Sequence, residues 1–359
     1  MSLPLNDSQH KNQLASDWMH RGMDLVNENS EAALEKAIRC FDEAIALRRT
    51  LPLDENHFFR YGLSAGWINR GDAMMRMGTR HSLAEALKSY DEALVLLESL
   101  PHTENALYSR RLAIAWINRG IALQKQEAPQ GIWEAAKCFR EAIAVLENPS
   151  ATKVTARSLL LAGAWANLAQ AIMGSTTEEA EEIRCAVRKA LALVQSSERI
   201  DVVSAEIGLK GRHLLCRLAV RDITDRKPIS NPVASETTDA IDKAMALVRH
   251  WKFQGQTELT KLALEIFRFG CRIYESSQPH FLAEFITECL TLELFGEAIL
   301  PDRETLDTAR AAIWGVLGNL QLDGFGSFST PRFEIFLSDI QELRKVEERL
   351  NQLYFAQAV

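Results

Sequence analysis

The chain has 359 residues, 47% of them hydrophobic and 25% charged, with a net charge of -7. That is enough for two ordinary domains or one long repeat array, and too apolar for a disordered protein. The acidic balance argues against nonspecific binding to nucleic acid or an anionic membrane.

Residues 1–13 read as a polar, flexible start without the apolar centre of a signal peptide. No apolar run reaches the roughly 18 residues needed to span a bilayer. The six cysteines form no CxxC pair, and three of them, Cys40, Cys138 and Cys185, fall near one phase of a repeat. One cysteine per unit does not build a disulfide framework. They read as small buried thiols in a reducing compartment, which makes the cytoplasm the expected location.

From residue 14 the chain repeats itself. WINRG stands at Trp67 and again at Trp116, 49 residues on; WMHRG begins at Trp18 and WANLA at Trp165, with the same spacing. Each tryptophan is followed by a second recurrent stretch: CFDEAIAL from Cys40, SYDEALVL from Ser89, CFREAIAV from Cys138, and a looser AVRKALAL from Ala186. Trp18 and Ala44, Trp67 and Ala93, and Trp116 and Ala142 are each separated by 26 residues. Such a period defines the architecture before any single residue is interpreted.

Both halves of each unit read as helix. Ala86, Tyr90, Ala93, Leu94 and Leu97 recur at spacings of three and four, and good helix formers fill the remainder. Breakers such as Gly78 and the APQG from Ala128 divide the halves, and Pro52, Pro101 and Pro149 divide the units. The first helix of the second unit is expected over about 56–77, on the order of 33 Å long at 1.5 Å per residue. Gly22, Gly71 and Gly120 lie one turn after each tryptophan. Glycine in mid-helix costs about 1 kcal/mol, so its recurrence predicts close helix approach, with Ala44, Ala93 and Ala142 as matching small faces. A lone hairpin cannot cover both its apolar flanks, and stacking completes the core.

The stretch WINRGDA…EALKSYDEAL resembles the tetratricopeptide repeat (TPR). Trp67, Gly71 and Ala73 fit the family's first helix, and Ala86, Tyr90 and Ala93 its second. The unit here is longer than the family's 34 residues, and arginine replaces the leucine usual before the glycine. The resemblance covers about 14–195 and implies an all-α solenoid of stacked hairpins, about seven helix pairs in the whole chain, with a concave binding groove. Residues 14–198 would hold four TPR-like hairpins and 199–322 degenerate hairpins continuing the array, the alternative being a separate helical domain. Residues 323–359 would be a loop and a capping helix. Beyond 200, helices are expected near 200–223, 236–250, 256–276, 279–299, 303–321 and 332–355, with polar linkers from Asp225 and Asp323.

Asn69, Asn118 and Asn167 lie two residues after the tryptophans, and His20 holds that place in the first unit. Two helical steps turn about 200°, so if the indole faces the hairpin interior the carboxamide faces away. The resemblance implies that this side is the groove and that these residues bind the backbone of an extended peptide, with Ile68 and Ile117 as apolar anchors. The alternative is a structural role, capping or bridging neighbouring first helices. Arg21, Arg70 and Arg119 form a second row. One reading is a clamp for carboxylates or phosphates. The other pairs each with a glutamate of its own unit, Glu43, Glu92 or Glu141. In the fourth unit the arginine becomes Leu168 and the glutamate Lys189, a joint change that favours ion pairs. Arg60, Arg110, Arg111 and Arg157 recur before the tryptophans, as a groove rim or a solvated face.

Catalytic signals are weak. The eight histidines form no HExxH, and no phosphate-binding glycine loop appears. The expectation is a non-catalytic scaffold or adaptor that binds a protein or peptide partner and needs no metal or cofactor. The alternatives are a peptide-sensing regulator and an enzyme whose site is assembled across distant repeats.

Overall fold

A computed structural model describes residues 5–28, 30–126, 129–148, 154–173, 180–195, 202–225, 231–251, 257–277, 303–322 and 344–352, with single positions 282, 285, 286 and 341. All regular structure among the described residues is helical. The chain divides into two compact units, Met1–Glu198 and Arg199–Val359.

The first unit is a solenoid of four hairpins: α1 (Leu5–Glu28) with α2 (Glu31–Arg49), α3 (His57–Met77) with α4 (Arg80–Glu98), α5 (Ala106–Lys125) with α6 (Pro129–Glu147), and α7 (Val154–Ile172) with α8 (Ala180–Gln195). Each helix packs on the next in the chain. The first helices also touch one another, α1 with α3, α3 with α5 and α5 with α7, and pack more closely than the second helices do. The first helices thus form one continuous layer.

Local chemistry sets the boundaries. Ser30, Asn56, Thr79 and Asn105 are N-caps whose side chains accept from the amides of Ala33, Phe58, Ser82 and Leu107. Each satisfies one of the amides that a helix start leaves without a partner. Gly78 ends α3 at φ 67, the left-handed conformation that glycine adopts without steric cost. Pro129 opens α6, where its missing N–H is no loss. α1 begins at Leu5, so residues 5–13 of the stretch read as a flexible start are helical.

The hairpin interior differs from the expected arrangement of glycine against alanine. A Cβ on Gly22, Gly71 or Gly120 would lie 2.5, 2.6 or 2.6 Å from the ring edge of Phe41, Tyr90 or Phe139. The glycines make room for the aromatic rings of the second helix, while Ala44, Ala93 and Ala142 are fully buried beside them. The indoles sit at the margin. Trp18, Trp67, Trp116 and Trp165 are half-buried, and cations cover three of them: Arg21 over Trp18 at 5.5 Å, Arg49 over Trp67 at 4.9 Å and Lys189 over Trp165 at 4.0 Å. Cys40 and Cys138 are buried, but Cys185 is exposed. It stands one residue ahead of the repeat phase, about 100° round the helix, and so turns outward.

The second unit contains α9 (Val202–Thr224), α10 (Asn231–Trp251), α11 (Thr257–Ser277) and α12 (Arg303–Leu322). α9 packs on α10 and α11, and α11 on α12. Leu209, Ile241, Phe267, Ile273, Phe285, Leu306 and Leu350 share one core. The polar stretch from Asp225 is not all linker, because α10 starts at Asn231. Pro232 fits a first helical turn, and the Thr237 hydroxyl is buried and donates to the Val233 carbonyl at 2.7 Å. Most of 279–299 and 323–343, including the glycine-rich stretch from Asp323, lies outside the described residues.

Candidate functional site

The row of arginines is the clearest polar feature of the first unit, and it pairs differently from the expectation. Arg70 Nε donates to Asp42 Oδ1 at 2.8 Å, and Arg119 Nε to Asp91 Oδ1 at 2.7 Å. Each reaches back 28 residues, to the second helix of the preceding hairpin. The expected partners Glu92 and Glu141 are not used; Glu92 instead lies 3.9 Å from Arg49. On its own hairpin each arginine meets a small residue 19 positions on: Arg70 Nη1 donates to Ser89 Oγ at 2.7 Å, and Arg119 Nη1 to Cys138 Sγ at 3.1 Å. Arg21 lies over Trp18 instead. Successive residues on a helix point about 100° apart, so of the pair Asp-Glu only the aspartate faces the next hairpin. The joint change in the fourth hairpin keeps its force with another partner. Where Leu168 replaces the arginine, the preceding hairpin carries Arg140 in place of aspartate, and Arg140 pairs with Glu182 at 2.8 Å.

The asparagines divide. Asn118 Nδ2 donates to Asp72 Oδ1 at 2.8 Å, and the Tyr90 hydroxyl donates to the same oxygen at 2.6 Å. Asn118 thus bridges α5 to α3, which is the structural alternative. Burial pushes the Asp72 carboxyl above the usual carboxylate range, against the two hydrogen bonds that favour its anion. The Tyr90 hydroxyl is pushed far up by its own burial and then by the Asp72 charge. The equivalents of Asp72 in the first and third hairpins are Met23 and Ile121, and the equivalents of Tyr90 are phenylalanines, so this triad occurs once. Asn69 and Asn167 are half-buried and His20 exposed, and no described residue hydrogen-bonds Asn69 or Asn167. Ile68 and Ile117 are not groove anchors: at 5% and 7% exposure they are core, Ile68 packed with Leu94, Leu97 and Leu112.

The positive groups before the tryptophans act mainly on backbone. Arg60 donates to Ser99, Arg111 Nη1 to the Tyr61 carbonyl at 3.2 Å, and Arg157 to the Leu146 carbonyl. Arg111 also lies 3.8 Å above the Tyr61 ring, which packs on Tyr108 at 5.4 Å. Beside them Arg48, from the end of α2, donates to the Gly62 carbonyl at 2.7 Å, to Ser16 Oγ at 3.1 Å and to Asn12 Oδ1 at 3.4 Å. Composition hid Arg48; comparison of units exposes it, because Leu97 and Leu146 hold its place in the next two hairpins.

Two other polar features stand apart. In the second unit His213 Nε2 meets Glu265 at 2.6 Å, and burial holds the imidazole below its usual range despite that carboxylate. The Cys216 thiol, fully buried, is pushed up to about 12, which leaves no reactive thiolate at neutral pH. Among the described residues no group of His, Cys, Asp and Glu is placed to hold a metal, and no helix is long and apolar enough to cross a membrane.

No protein-family model matches the chain, and no curated protein matches it. Among solved structures, BtubC (BKLC) from P. vanneervenii aligns with a TM-score of 0.40 and 13% identity, over 91% of this chain and 92% of that one. The S. pombe nuclear import adaptor Nro1 aligns at 0.38 and 12%, over 92% and 99%. A circular tandem repeat protein aligns at 0.31 and 13%, over 98% and 87%.

Proposed function

We propose that the chain is a non-catalytic scaffold of the tetratricopeptide kind, acting in a reducing compartment such as the cytoplasm. It holds a protein or peptide segment along the layer of first helices in its N-terminal unit. The observation that supports this most directly is Asn69. It is half-buried on α3, at the repeat position where Asn118 bridges to the neighbouring first helix, yet its carboxamide has no partner among the described residues. A carboxamide presents donor and acceptor together, which suits the backbone of an extended peptide. Tyr61 and Tyr108 add aromatic surface on the same layer.

The experiment is selection of peptides on an array by the full-length chain, followed by affinity measurement for the selected sequence. Asn69→Ala is expected to weaken that affinity about tenfold, roughly 1.4 kcal/mol, without changing the unfolding midpoint. Unchanged affinity removes Asn69 from the site, and failure to select any peptide removes the scaffold reading.

A further inference from the structure

Arg48 occupies a core position. It is 7% exposed, where Leu97 and Leu146 at the same place in the repeat are 0% and 2% exposed. An arginine there brings a charge into a site built for a leucine, and room is made for it: a Cβ on Gly62 would stand 3.3 Å from Arg48 Nε. Such a substitution is costly unless a counter-charge is supplied. The described residues supply none. Every partner of Arg48 is neutral: the Gly62 carbonyl, Ser16 and Asn12.

A second guanidinium compounds the cost. Arg111, from α5, binds the Tyr61 carbonyl, the neighbour of the carbonyl that Arg48 binds, so the two cations attach to consecutive residues of α3. Desolvation depresses the proton affinity of both, and Arg111 adds repulsion to Arg48. Arg111 too has no carboxylate partner among the described residues, and its other neighbouring charge is Arg110, again positive. Of its five N–H groups one is engaged by a described residue, and the side chain is half-buried rather than enclosed. In a chain of net charge -7 this is a local excess of cation held rigid by neutral groups.

We propose that Arg48 and Arg111 form a binding site for a dianionic phosphoryl group, carried by a peptide lying on the first helices or free as inorganic phosphate. Arg48, fixed by its three neutral acceptors, supplies field. Arg111, stacked on Tyr61, supplies the open edge of a planar fork that matches phosphate oxygens. Two positive charges meet two negative ones, which offsets the repulsion between the two guanidinium groups. The peptide source rests on the groove reading above; the phosphoryl site does not.

The test is calorimetric titration of the full chain with inorganic phosphate, with an alanine-flanked phosphoserine peptide and with its unphosphorylated twin, at constant ionic strength set by chloride. Saturable one-to-one binding of phosphate is expected, and a matching rise of the unfolding midpoint. Arg48→Leu, which restores the residue of the other hairpins and so keeps the fold, and Arg111→Gln should each weaken it at least about tenfold. Arg39→Gln, an exposed charge elsewhere on α2, should leave it unchanged. Tighter binding of the phosphoserine peptide, in competition with phosphate, identifies the peptide-borne source; binding of phosphate alone identifies the free anion. Absence of binding by both probes, or binding that survives Arg48→Leu and Arg111→Gln, overturns the proposal. A peptide selected on the array that still binds Arg111→Gln but not Asn69→Ala would leave the groove standing without this anchor.

Discussion

The third and fourth hairpins of the first unit solve the same packing problem with different residues. In the third, Gly120 admits the Phe139 ring, and Arg119 reaches back to Asp91. In the fourth, Ala169 stands at the glycine position and Val187 at the ring position, both fully buried. There Leu168 replaces the arginine, and Arg140 replaces the aspartate it would have met. The difference teaches that the unit of substitution is the contact, not the residue. An added Cβ goes with a smaller facing side chain, and a lost cation goes with a lost anion on the neighbouring hairpin.

The comparison can be broken most forcefully at the ring contact. Gly120→Ala puts a methyl group 2.6 Å from Phe139 and is expected to cost about 2 kcal/mol in denaturant unfolding, net of alanine's better helix propensity. Combined with Phe139→Val, which imitates the fourth hairpin, the loss should be less than the sum of the two single changes. Additivity would mean that Ala169 and Val187 are unrelated.

Next in size is the triad found once. Asn118→Ala removes one of two donors to Asp72 and should cost about 1 kcal/mol, whereas Asn69→Ala should change stability little. The pH dependence follows from sign. The Asp72 carboxyl titrates higher in the folded chain than in the unfolded one, so the folded state takes up its proton first as pH falls. Its contribution to stability is fully present below the unfolded carboxylate range and is lost as pH rises through the folded value. The stability of the wild type relative to Asp72→Asn should therefore increase on acidification from neutrality. A constant difference would contradict the shift.

The smallest effect sharpens the ladder of ion pairs. A double-mutant cycle on Arg119→Leu and Asp91→Asn should give a coupling of about 0.5–1 kcal/mol, because Asp91 is half exposed and water screens it. The same cycle on Arg119 and Glu141, the pair within one hairpin, should give none.

The hairpins and the breaker at Gly78 were legible in the sequence, since they depend on residues a few positions apart. The arginine partners were not. The spacing within a hairpin is set by its own turn, but which acid faces the next hairpin depends on how two hairpins dock. The fourth-unit change was readable, yet Arg140 lay in a neighbouring unit and Lys189 in the same one, and both fitted. Ile68, one residue after Trp67, misleads because the tryptophan reads as marking the hairpin interior, which turns its neighbours towards the groove. The ring behind the glycine occupies that place, and the indole is displaced to the margin with Ile68 turned inward. Tyr61, Tyr108 and Arg111 meet across α3 and α5, a proximity that a single hairpin does not contain.

The backward reach of Arg70 and Arg119 has a consequence for how the chain finds its order. Four similar hairpins offer many wrong neighbours, and apolar flanks alone would accept several of them. Were the fourth hairpin to dock ahead of the third, Arg119 would meet Arg188 where Asp91 now stands. That misordered stack is thus penalised by like charges, whereas Asp42 and Asp91 would each serve either arginine, so the surface marks the place of the fourth hairpin and not that of every joint.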